Sequence, residues 1–593
     1  MCEPAGSIVS NLRMKPLRRE LKMLVSFMTE YFPGILMLIV FLIMMAGMYS
    51  RKISALLALP IMAFLFALIG VVRYVDLFSL AMKYMGEKSF ILLLWSKAVW
   101  FVILTALVYL TTRKKISAGA AVLAALISFL IMLILNISGL SRIMGFSILG
   151  QLLDCLQSKV IIKDILADGA VKLTNSYTVA IFGGMLAILV KEKKIAETFI
   201  KYAAELAGDN PVYVAIIMMF VCFTLFTTLG GLGAIIMIGT IILPIMMSLG
   251  IEPLVAGGVL LIGLCAGGTF NPGNWALYEA SLGVETGKVQ LAAIIMIVMY
   301  LGMGCIFIII NTRGRRRRRY FASGNMEYAD AGQKVHPAAL LSPIVPIFLV
   351  LRTKTFVDLL GWVKGWSAGL DSGINFLGRA ATFWDAYIGG WEFIPAFIAG
   401  ILFCLFTTWD KKGDNIKMLT KAMIEGAESV MPAVLLMLGI GMLLNAVWNP
   451  DVGRYLDPVV RGVIPSTRIP YILIFGLCAP LALYRGPLNL WGLGLGVASL
   501  IYKGSPLSAA AVMGIFITTG AMQGICDPTN THNVWIATYI NEDVIKLTKK
   551  LLIYVWAMIF VGLLLMSVLF PLNKTPQELE RLSKSGAQSA QMK

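Results

Sequence analysis

The chain has 593 residues, of which 59% are hydrophobic and only 14% are charged. An ordinary soluble domain carries about 25% charged residues, so this composition excludes a soluble globular protein. Apolar runs of about 17 to 25 residues recur along the chain, and each is long enough to cross roughly 30 Å of hydrocarbon as a helix. The sequence therefore predicts an all-α polytopic membrane protein in the cell membrane, with membrane lipids as partners.

The net charge of +18 does not indicate nucleic acid as a partner. Much of the excess lies in the run RGRRRRR at 313–319 and in short basic clusters beside apolar runs. Basic loops are expected on the cytoplasmic side of a membrane, where they meet anionic lipid headgroups. The eight cysteines are scattered without the spacing of a disulfide framework or a metal site. We expect no metal site and no cofactor, apart from Na+ as a possible coupling ion.

The two halves of the chain resemble each other. DGAVKLTNSYTVAIFGGML pairs with EGAESVMPAVLLMLGIGML, and farther along GGTFNPGN pairs with QGICDPTN, at offsets between 253 and 257. Chance matches of Gly and Pro in a Gly-rich chain are the alternative to a true repeat, but the landmarks agree in order and spacing. The aligned glycines are Gly169 with Gly426, Gly184 with Gly441, and Gly231 with Gly486.

This similarity divides the chain into consecutive parts. No small-residue cleavage site follows the first apolar run, so we expect no cleaved signal peptide. The parts are a basic N-terminal arm at 1–32, a first repeat at 33–310 with two inserted spans at about 91–137, an Arg-rich cytoplasmic linker at 311–336, a second repeat at 337–571 with spans near 338–356, 392–409 and 429–446, and a polar C-terminal tail at 572–593.

The arginine run at 313–319 sets the orientation, because basic loops stay on the cytoplasmic side. Counting spans backwards, residues 211–250 must leave and re-enter on that side, which predicts a re-entrant helical hairpin with its tip at TTLGGLG. Counting forwards, a matching hairpin at about 469–502, with its tip at YRGPLN, is entered from outside. Two similar segments that open from opposite faces are an inverted-topology repeat. The same count places the N-terminus outside, although its basic arm favours the cytoplasm; the arm could lie along the interface.

Two polar stretches, NPGN at 271–274 and CDPTNTHN at 526–533, interrupt apolar runs. Each contains a proline, which removes a backbone donor and breaks a membrane helix. Two broken helices and two hairpin tips should meet near the bilayer midplane around a polar cavity, although for either break alone a self-satisfied kink is the alternative. The expected substrate-binding residues are Gly231, Gly233, Asn271, Asn274, Arg485, Asn489, Thr529, Asn530, Thr531 and Asn533, and the expected coupling-ion residues are Asp527 and His532.

Three of these residues carry charge or protons. Arg485 is the strongest candidate, because its planar guanidinium suits a carboxylate or phosphate. The alternative is an interfacial arginine whose side chain extends to water. His532 could carry protons at physiological pH or be a neutral, hydrogen-bonded histidine. Asp527 is either a proton or sodium acceptor or a cap of the following half-helix.

The pattern resembles the ion transporter superfamily, and within it the gluconate:proton symporter type and related citrate and C4-dicarboxylate carriers. The likeness lies in the first two spans separated by SRK, in GGLGAIIMIGTIILPIMMSLGI and in the breaks NPGN and DPTN, and it covers most of 33–310 and 337–571. The resemblance implies an elevator-type carrier that forms a homodimer. The chain lacks the Ser-Asn-Thr tips of the sodium-coupled dicarboxylate branch and the His-Pro-rich first break of gluconate carriers, so substrate and coupling ion stay open.

These observations predict a secondary active transporter of a small organic anion, a carboxylate, in symport with H+ or Na+. A channel or a lipid-handling membrane protein that uses the same broken helices is the alternative. We do not expect an enzyme, because the chain lacks a His-rich metal cluster, a GxSxG nucleophile context and a Gly-rich phosphate loop between a strand and a helix. Its histidines are His336 and His532 alone.

Overall fold

A computed structural model describes residues 31–50, 52–71, 159–312, 335–353, 371–410, 414–461, 464–580 and 582. Within these ranges the regular structure is helical, apart from an isolated β-bridge between Leu507 and Asn573. Seven of the described helices are long and apolar enough to cross a membrane, and a bent pair of helices makes an eighth. The prediction of an all-α polytopic membrane protein is confirmed. The N-terminal arm up to residue 30, the inserted spans at 91–137 and the arginine run at 313–319 lie outside the described residues.

The first half opens with two apolar helices and ends with a long span. A π-helical turn at Val160–Ala167 and a short helix at Asp168–Val171 lead into its central part. Its helices are α1 (Phe32–Tyr49), α2 (Ala55–Val71), α3 (Thr174–Glu192), the amphipathic α4 (Ile195–Ala207), α5 (Pro211–Phe226), α6 (Gly231–Ser248), α7 (Pro253–Thr269), α8 (Pro272–Leu282) and α9 (Thr286–Thr312).

The second half has the same order of elements from its long helix, Asn415–Trp448, onward as the first half has from Thr174–Glu192 onward. The helices are α10 (Val345–Val350), α11 (Asp371–Tyr387), α12 (Phe393–Thr407), α13 (Asn415–Trp448), α14 (Pro450–Arg461), α15 (Arg468–Cys478), α16 (Leu495–Gly504), α17 (Ala509–Cys526), α18 (Thr531–Tyr539) and α19 (Val544–Leu569), with 3-10 turns at Pro337–Leu341 and Ala479–Arg485 and a π-helical turn at Leu490–Gly494.

The span expected at 338–356 is not continuous. A 3-10 turn and the six-residue α10 are followed by irregular backbone at 351–353. Three prolines, Pro337, Pro343 and Pro346, fall in this stretch, and each lacks the backbone N–H that a longer helix would use. The spans expected at 392–409 and 429–446 correspond to α12 and to the second part of α13.

Polar caps fix where several helices begin. Asn210 accepts a hydrogen bond from Val212 N at 3.0 Å, and Pro211 occupies the first position of α5. Ser508 accepts from Ala511 N at 3.0 Å at the start of α17. A capping side chain satisfies an amide that has no partner in the helix, and proline is suited to the first helical position. The sequence therefore restarts a helix at each of these points.

Four glycines bring two parts of the backbone into contact. One part is α13, and the other is α3 together with the short helix that precedes it. A Cβ on Gly184 would lie 2.4 Å from Gly426 O, and a Cβ on Gly441 would lie 2.2 Å from Gly169 O. Small residues allow this close crossing of membrane helices. The contact is reciprocal, because the first aligned glycine of each half touches the second aligned glycine of the other.

The two halves interleave at the centre of the molecule. The long arms of the two interrupted helices, α7 and α17, pack against each other. Helix α6 of the first half packs on α18 of the second, and α8 of the first half packs on α16 of the second. The elements expected to carry the site are therefore neighbours in the fold.

Candidate functional site

The first hairpin reverses at residues 227–230, between α5 and α6, which pack against each other. Gly231 has a φ of +80°, a left-handed conformation that favours glycine. Thr227, Thr228 and Leu229 are buried, whereas the glycines that follow them are exposed. Among the described atoms, a Cβ on Gly231 would meet Ser429 O at 3.4 Å, and a Cβ on Gly233 would meet none within 4 Å. The reversal expected at TTLGGLG is thus present, and re-entry of this hairpin on the cytoplasmic side stays a prediction.

The first break bends α7 against α8 by 52°. Asn271 caps α8 by accepting from Gly273 N at 2.8 Å. Asn274 Nδ2 donates to Gly268 O at 2.6 Å, and Trp275 Nε1 donates to Thr269 O at 3.1 Å. Side chains of α8 therefore bind carbonyls at the end of α7, and one of these, Gly268 O, also accepts from Asn271 N at 3.2 Å.

The second break is held in a similar way. Asn530, His532 and Asn533 lie at the start of α18, and they bind three successive carbonyls at the end of α17. The bonds are Asn530 Nδ2 to Gln523 O at 2.7 Å, His532 Nε2 to Gly524 O at 3.1 Å and Asn533 Nδ2 to Ile525 O at 2.9 Å. Thr548 in α19 donates to the fourth, Cys526 O, at 3.0 Å. Side chains thus occupy these carbonyls, as in a self-satisfied kink, which the sequence analysis gave as the alternative for a single break.

Asp527 is fully buried at this break. Its Oδ1 accepts from Thr529 N at 2.8 Å and from Thr529 Oγ1 at 2.6 Å, and its Oδ2 accepts from Arg485 N at 3.3 Å. A buried carboxylate needs such donors, because an unpaired one is costly to remove from water. Asp527 thereby ties the tip of the second hairpin to the second broken helix.

The second tip follows the 3-10 turn that ends at Arg485, and it differs from the first. Tyr484 and Arg485 both adopt left-handed backbone conformations, with φ of 55° and 58°. The Arg485 side chain is exposed, and its guanidinium forms no hydrogen bond or ion pair with the described residues. Asn489 is buried, and its Oδ1 has no partner there. The contact between Arg485 and the break is made by its backbone amide and not by its charge.

A cavity of about 330 Å³ lies where the two halves meet. Both hairpins and both interrupted helices contribute to its lining. Among the predicted site residues, those that line it are Gly231, Asn274, Thr531 and His532. Those that do not are Gly233, Asn271, Arg485, Asn489, Asp527, Thr529, Asn530 and Asn533.

The chemistry of the lining is neutral and largely apolar. No Asp, Glu, Lys or Arg is found among the described lining residues, and four aromatic residues that the sequence did not single out form much of the wall: Tyr278, Tyr300, Trp491 and Phe516. The imidazole of His532 is the lining group whose ordinary titration falls near neutral pH. No group of three or more His, Cys, Asp or Glu side chains among the described residues could hold a metal ion.

The hydrogen bond of His532 defines its tautomer. A carbonyl oxygen accepts only, so Nε2, which faces Gly524 O, carries a hydrogen. In the neutral ring Nδ1 is then the acceptor, and it is Nδ1 that gains a proton when the ring becomes cationic. One side chain in the cavity can therefore switch between a neutral and a positive state without breaking its bond to α17.

No protein-family model and no curated protein match this chain. Among solved structures, it is similar to the YdaH transporter of Alcanivorax borkumensis, whose crystal structure is described as having an unusual topology. The two share 13% sequence identity at a TM-score of 0.45, over 71% of this chain and 90% of the other.

Proposed function

We propose that this protein is a secondary active transporter of a small carboxylate, built as two inverted repeats and placed in the cell membrane. The observation that carries the proposal is the central cavity, to which both hairpins and both interrupted helices contribute lining residues. Carriers with inverted repeats bind their cargo where discontinuous helices of the two repeats meet. A carrier is favoured over an enzyme, because no hydroxyl or thiol among the described lining residues forms a hydrogen bond with a basic side chain.

Reciprocal packing supports the repeat. When two similar units are related by a twofold axis, a contact between one residue and a second implies the matching contact with the roles exchanged. The glycine pairs Gly169–Gly441 and Gly184–Gly426 have this property. So do the contacts of each half's hairpin arm with the half-helix of the other half, α6 with α18 and α16 with α8.

We propose that protons, rather than sodium, drive transport. Both oxygens of Asp527 already accept hydrogen bonds from the protein, whereas His532 lines the cavity and its Nδ1 has no hydrogen-bond partner among the residues that the structure describes. A proton on Nδ1 places a positive charge beside the bound anion. Each then strengthens the binding of the other, because opposite charges in a water-poor cavity attract strongly. Proton and carboxylate would cross together, which is symport.

We propose that the cavity moves across the membrane by an elevator mechanism. We also propose that the protein is a homodimer. Hydrogen bonds across each break hold its two half-helices together, and Asp527 ties the second tip to the second break. The packing of α6 on α18, of α8 on α16 and of α7 on α17 joins these parts into one unit. Such a unit can move as a body against the remaining helices.

Uptake into proteoliposomes tests the proposal. Purified protein is reconstituted, an acid-outside pH gradient is imposed, and radiolabelled gluconate, succinate, citrate and phenylacetate are added, with protein-free vesicles to subtract passive entry. We expect at least one anion to accumulate above its outside concentration and a protonophore to abolish the accumulation. His532→Gln should lose accumulation, while His336→Gln, at an exposed residue outside the cavity, should retain it.

Other outcomes separate the alternatives. Uptake that stops at equal concentrations would favour a channel. Accumulation driven by a sodium gradient and indifferent to pH would replace the proton by sodium. An absence of uptake, together with thermal stabilisation by phospholipid headgroups alone, would favour a lipid-handling protein.

A further inference from the structure

The wall of the central cavity contains aromatic side chains from both halves. Tyr278 comes from α8, Tyr300 from α9, Trp491 from the turn after the second tip and Phe516 from α17. Aliphatic side chains fill the space between them: Leu232, Ile235, Leu264, Leu490 and Ile517. Aromatic rings offer a large apolar contact area with a preferred stacking geometry. A ligand with many hydroxyl groups would leave most of them unpaired against this wall, which weakens binding.

The charge of the lining limits the charge of the cargo. Of the described side chains that line the cavity, His532 is the one that can bind a proton and become a cation. Arg485 points its exposed side chain elsewhere, and its backbone alone serves the site. A second carboxylate on the cargo would lie in the cavity without an opposite charge, and a buried unpaired charge is strongly unfavourable. The cavity therefore suits one negative charge.

Polar groups that could bind this charge gather at the second break. The side chains of Gln523 and Thr531 line the cavity and form no hydrogen bond with the described residues. Thr531 adjoins His532, and the carbonyl of Gln523 binds Asn530 next to Thr531. Phe516 lies seven residues before Gln523 on α17, roughly 10 Å along the helix axis at about 1.5 Å per residue. The ring of Phe516 and the polar groups of the second break thus lie at different depths along the α17 side of the cavity.

We propose that the cargo is a monocarboxylate with a compact apolar body of the size of one aromatic ring, such as an aryl acid, and not a dicarboxylate, tricarboxylate or sugar acid. The carboxylate would lie at Gln523, Thr531 and His532, and the body would lie against Trp491 and Phe516. A volume of about 330 Å³ is at the small end of ligand pockets, which span roughly 300–1,000 Å³. This inference rests on the proposed transport function and names its substrate class.

Competition binding tests the class. Radiolabelled phenylacetate is bound to the purified full-length protein at about pH 6, on the acidic side of the ordinary histidine titration. Unlabelled competitors are phenylmethanesulfonate, which keeps one charge and the ring, 2-phenylethanol, which keeps the ring without the charge, and succinate, citrate and gluconate. We expect phenylacetate and phenylmethanesulfonate to displace the label at concentrations about tenfold or more below those of every other competitor.

Variants of the aromatic wall test where the apolar body of the cargo lies. Trp491→Ala should raise the phenylacetate concentration for half-displacement about tenfold, and Trp491→Phe should bring it back to within about threefold of the wild type, because a ring is retained. Trp409→Ala, at a tryptophan that is 61% exposed, is the matched control and should leave binding unchanged. A loss of the same size in Trp409→Ala, or none in Trp491→Ala, would overturn the assignment of this wall.

The binding and uptake experiments distinguish a wrong substrate class from a wrong transport function. If succinate, citrate or gluconate accumulates in proteoliposomes while phenylacetate neither binds nor accumulates, the substrate class is wrong and the carrier stands. If no carboxylate binds and none accumulates, the transport function fails and the inference fails with it.

Discussion

The crossing of α3 and α13 gives a sharp test of the architecture, through the substitution Gly426→Ala. A Cβ at this position would lie 2.5 Å from Met185 N and 2.7 Å from Gly184 C. Both atoms belong to the backbone of α3, so the two helices must separate by about 1 Å to reach ordinary contact. Overpacking of this kind typically destabilises by about 1–3 kcal/mol. The better helix propensity of alanine offsets about 1 kcal/mol. We expect a net destabilisation of about 0–2 kcal/mol relative to the wild type, and of about 1–3 kcal/mol relative to an alanine that gains helix propensity without overpacking.

The assay is thermal unfolding of the purified variants in one detergent, followed by intrinsic fluorescence. Gly302→Ala, at a glycine of α9 with no heavy atom within 4 Å of an added Cβ, is the matched control and should be neutral or stabilising. Gly184→Ala should match Gly426→Ala, because Gly426 O lies 2.4 Å from its Cβ. If Gly426→Ala unfolds at the same temperature as Gly302→Ala, the close crossing, and with it the reciprocal contact that supports the repeat, is refuted.

Three further predictions concern the site. Asp527→Asn turns one acceptor into a donor opposite Arg485 N, so amide exchange at residues 484–486 and 488 should quicken at least tenfold, and unchanged exchange would argue against the tie. Asn530→Ala leaves Gln523 O without its donor and should destabilise the fold by about 1–3 kcal/mol; a midpoint equal to the wild type would contradict this. Gly231→Ala forces a side chain to a φ of +80°, at about 1–2 kcal/mol, measured by the same unfolding assay.

Much of the framework could be predicted because Gly and Pro interrupt long apolar runs. The reversal near Gly231 and the breaks at Pro272 and Pro528 follow from backbone freedom and from missing N–H groups, which are local properties of the sequence. The span expected at 338–356 failed for the same reason, because its prolines received too little weight beside its hydropathy.

The wall of the cavity could not be predicted. Tyr300 and Phe516 lie on helices that are apolar on all sides, where a cavity-facing ring and a core ring look alike. Arg485 shows a second limit, because a sequence does not tell whether a residue acts through its charge or through its backbone amide. Thr531 and His532 could be found, since polar residues inside an apolar run are costly without a partner.

The central claim is that a carboxylate binds in the cavity between the two halves. The most direct measurement is the alkylation rate of the Thr531→Cys variant, followed by peptide mass spectrometry with and without each carboxylate that accumulates in proteoliposomes. Glu285→Cys, at an exposed loop residue outside the cavity, is the reference. The account predicts that the transported anion slows alkylation at position 531 over the same concentration range that saturates transport, and leaves position 285 unchanged. Alkylation at 531 that proceeds at one rate with and without a saturating transported anion would contradict it.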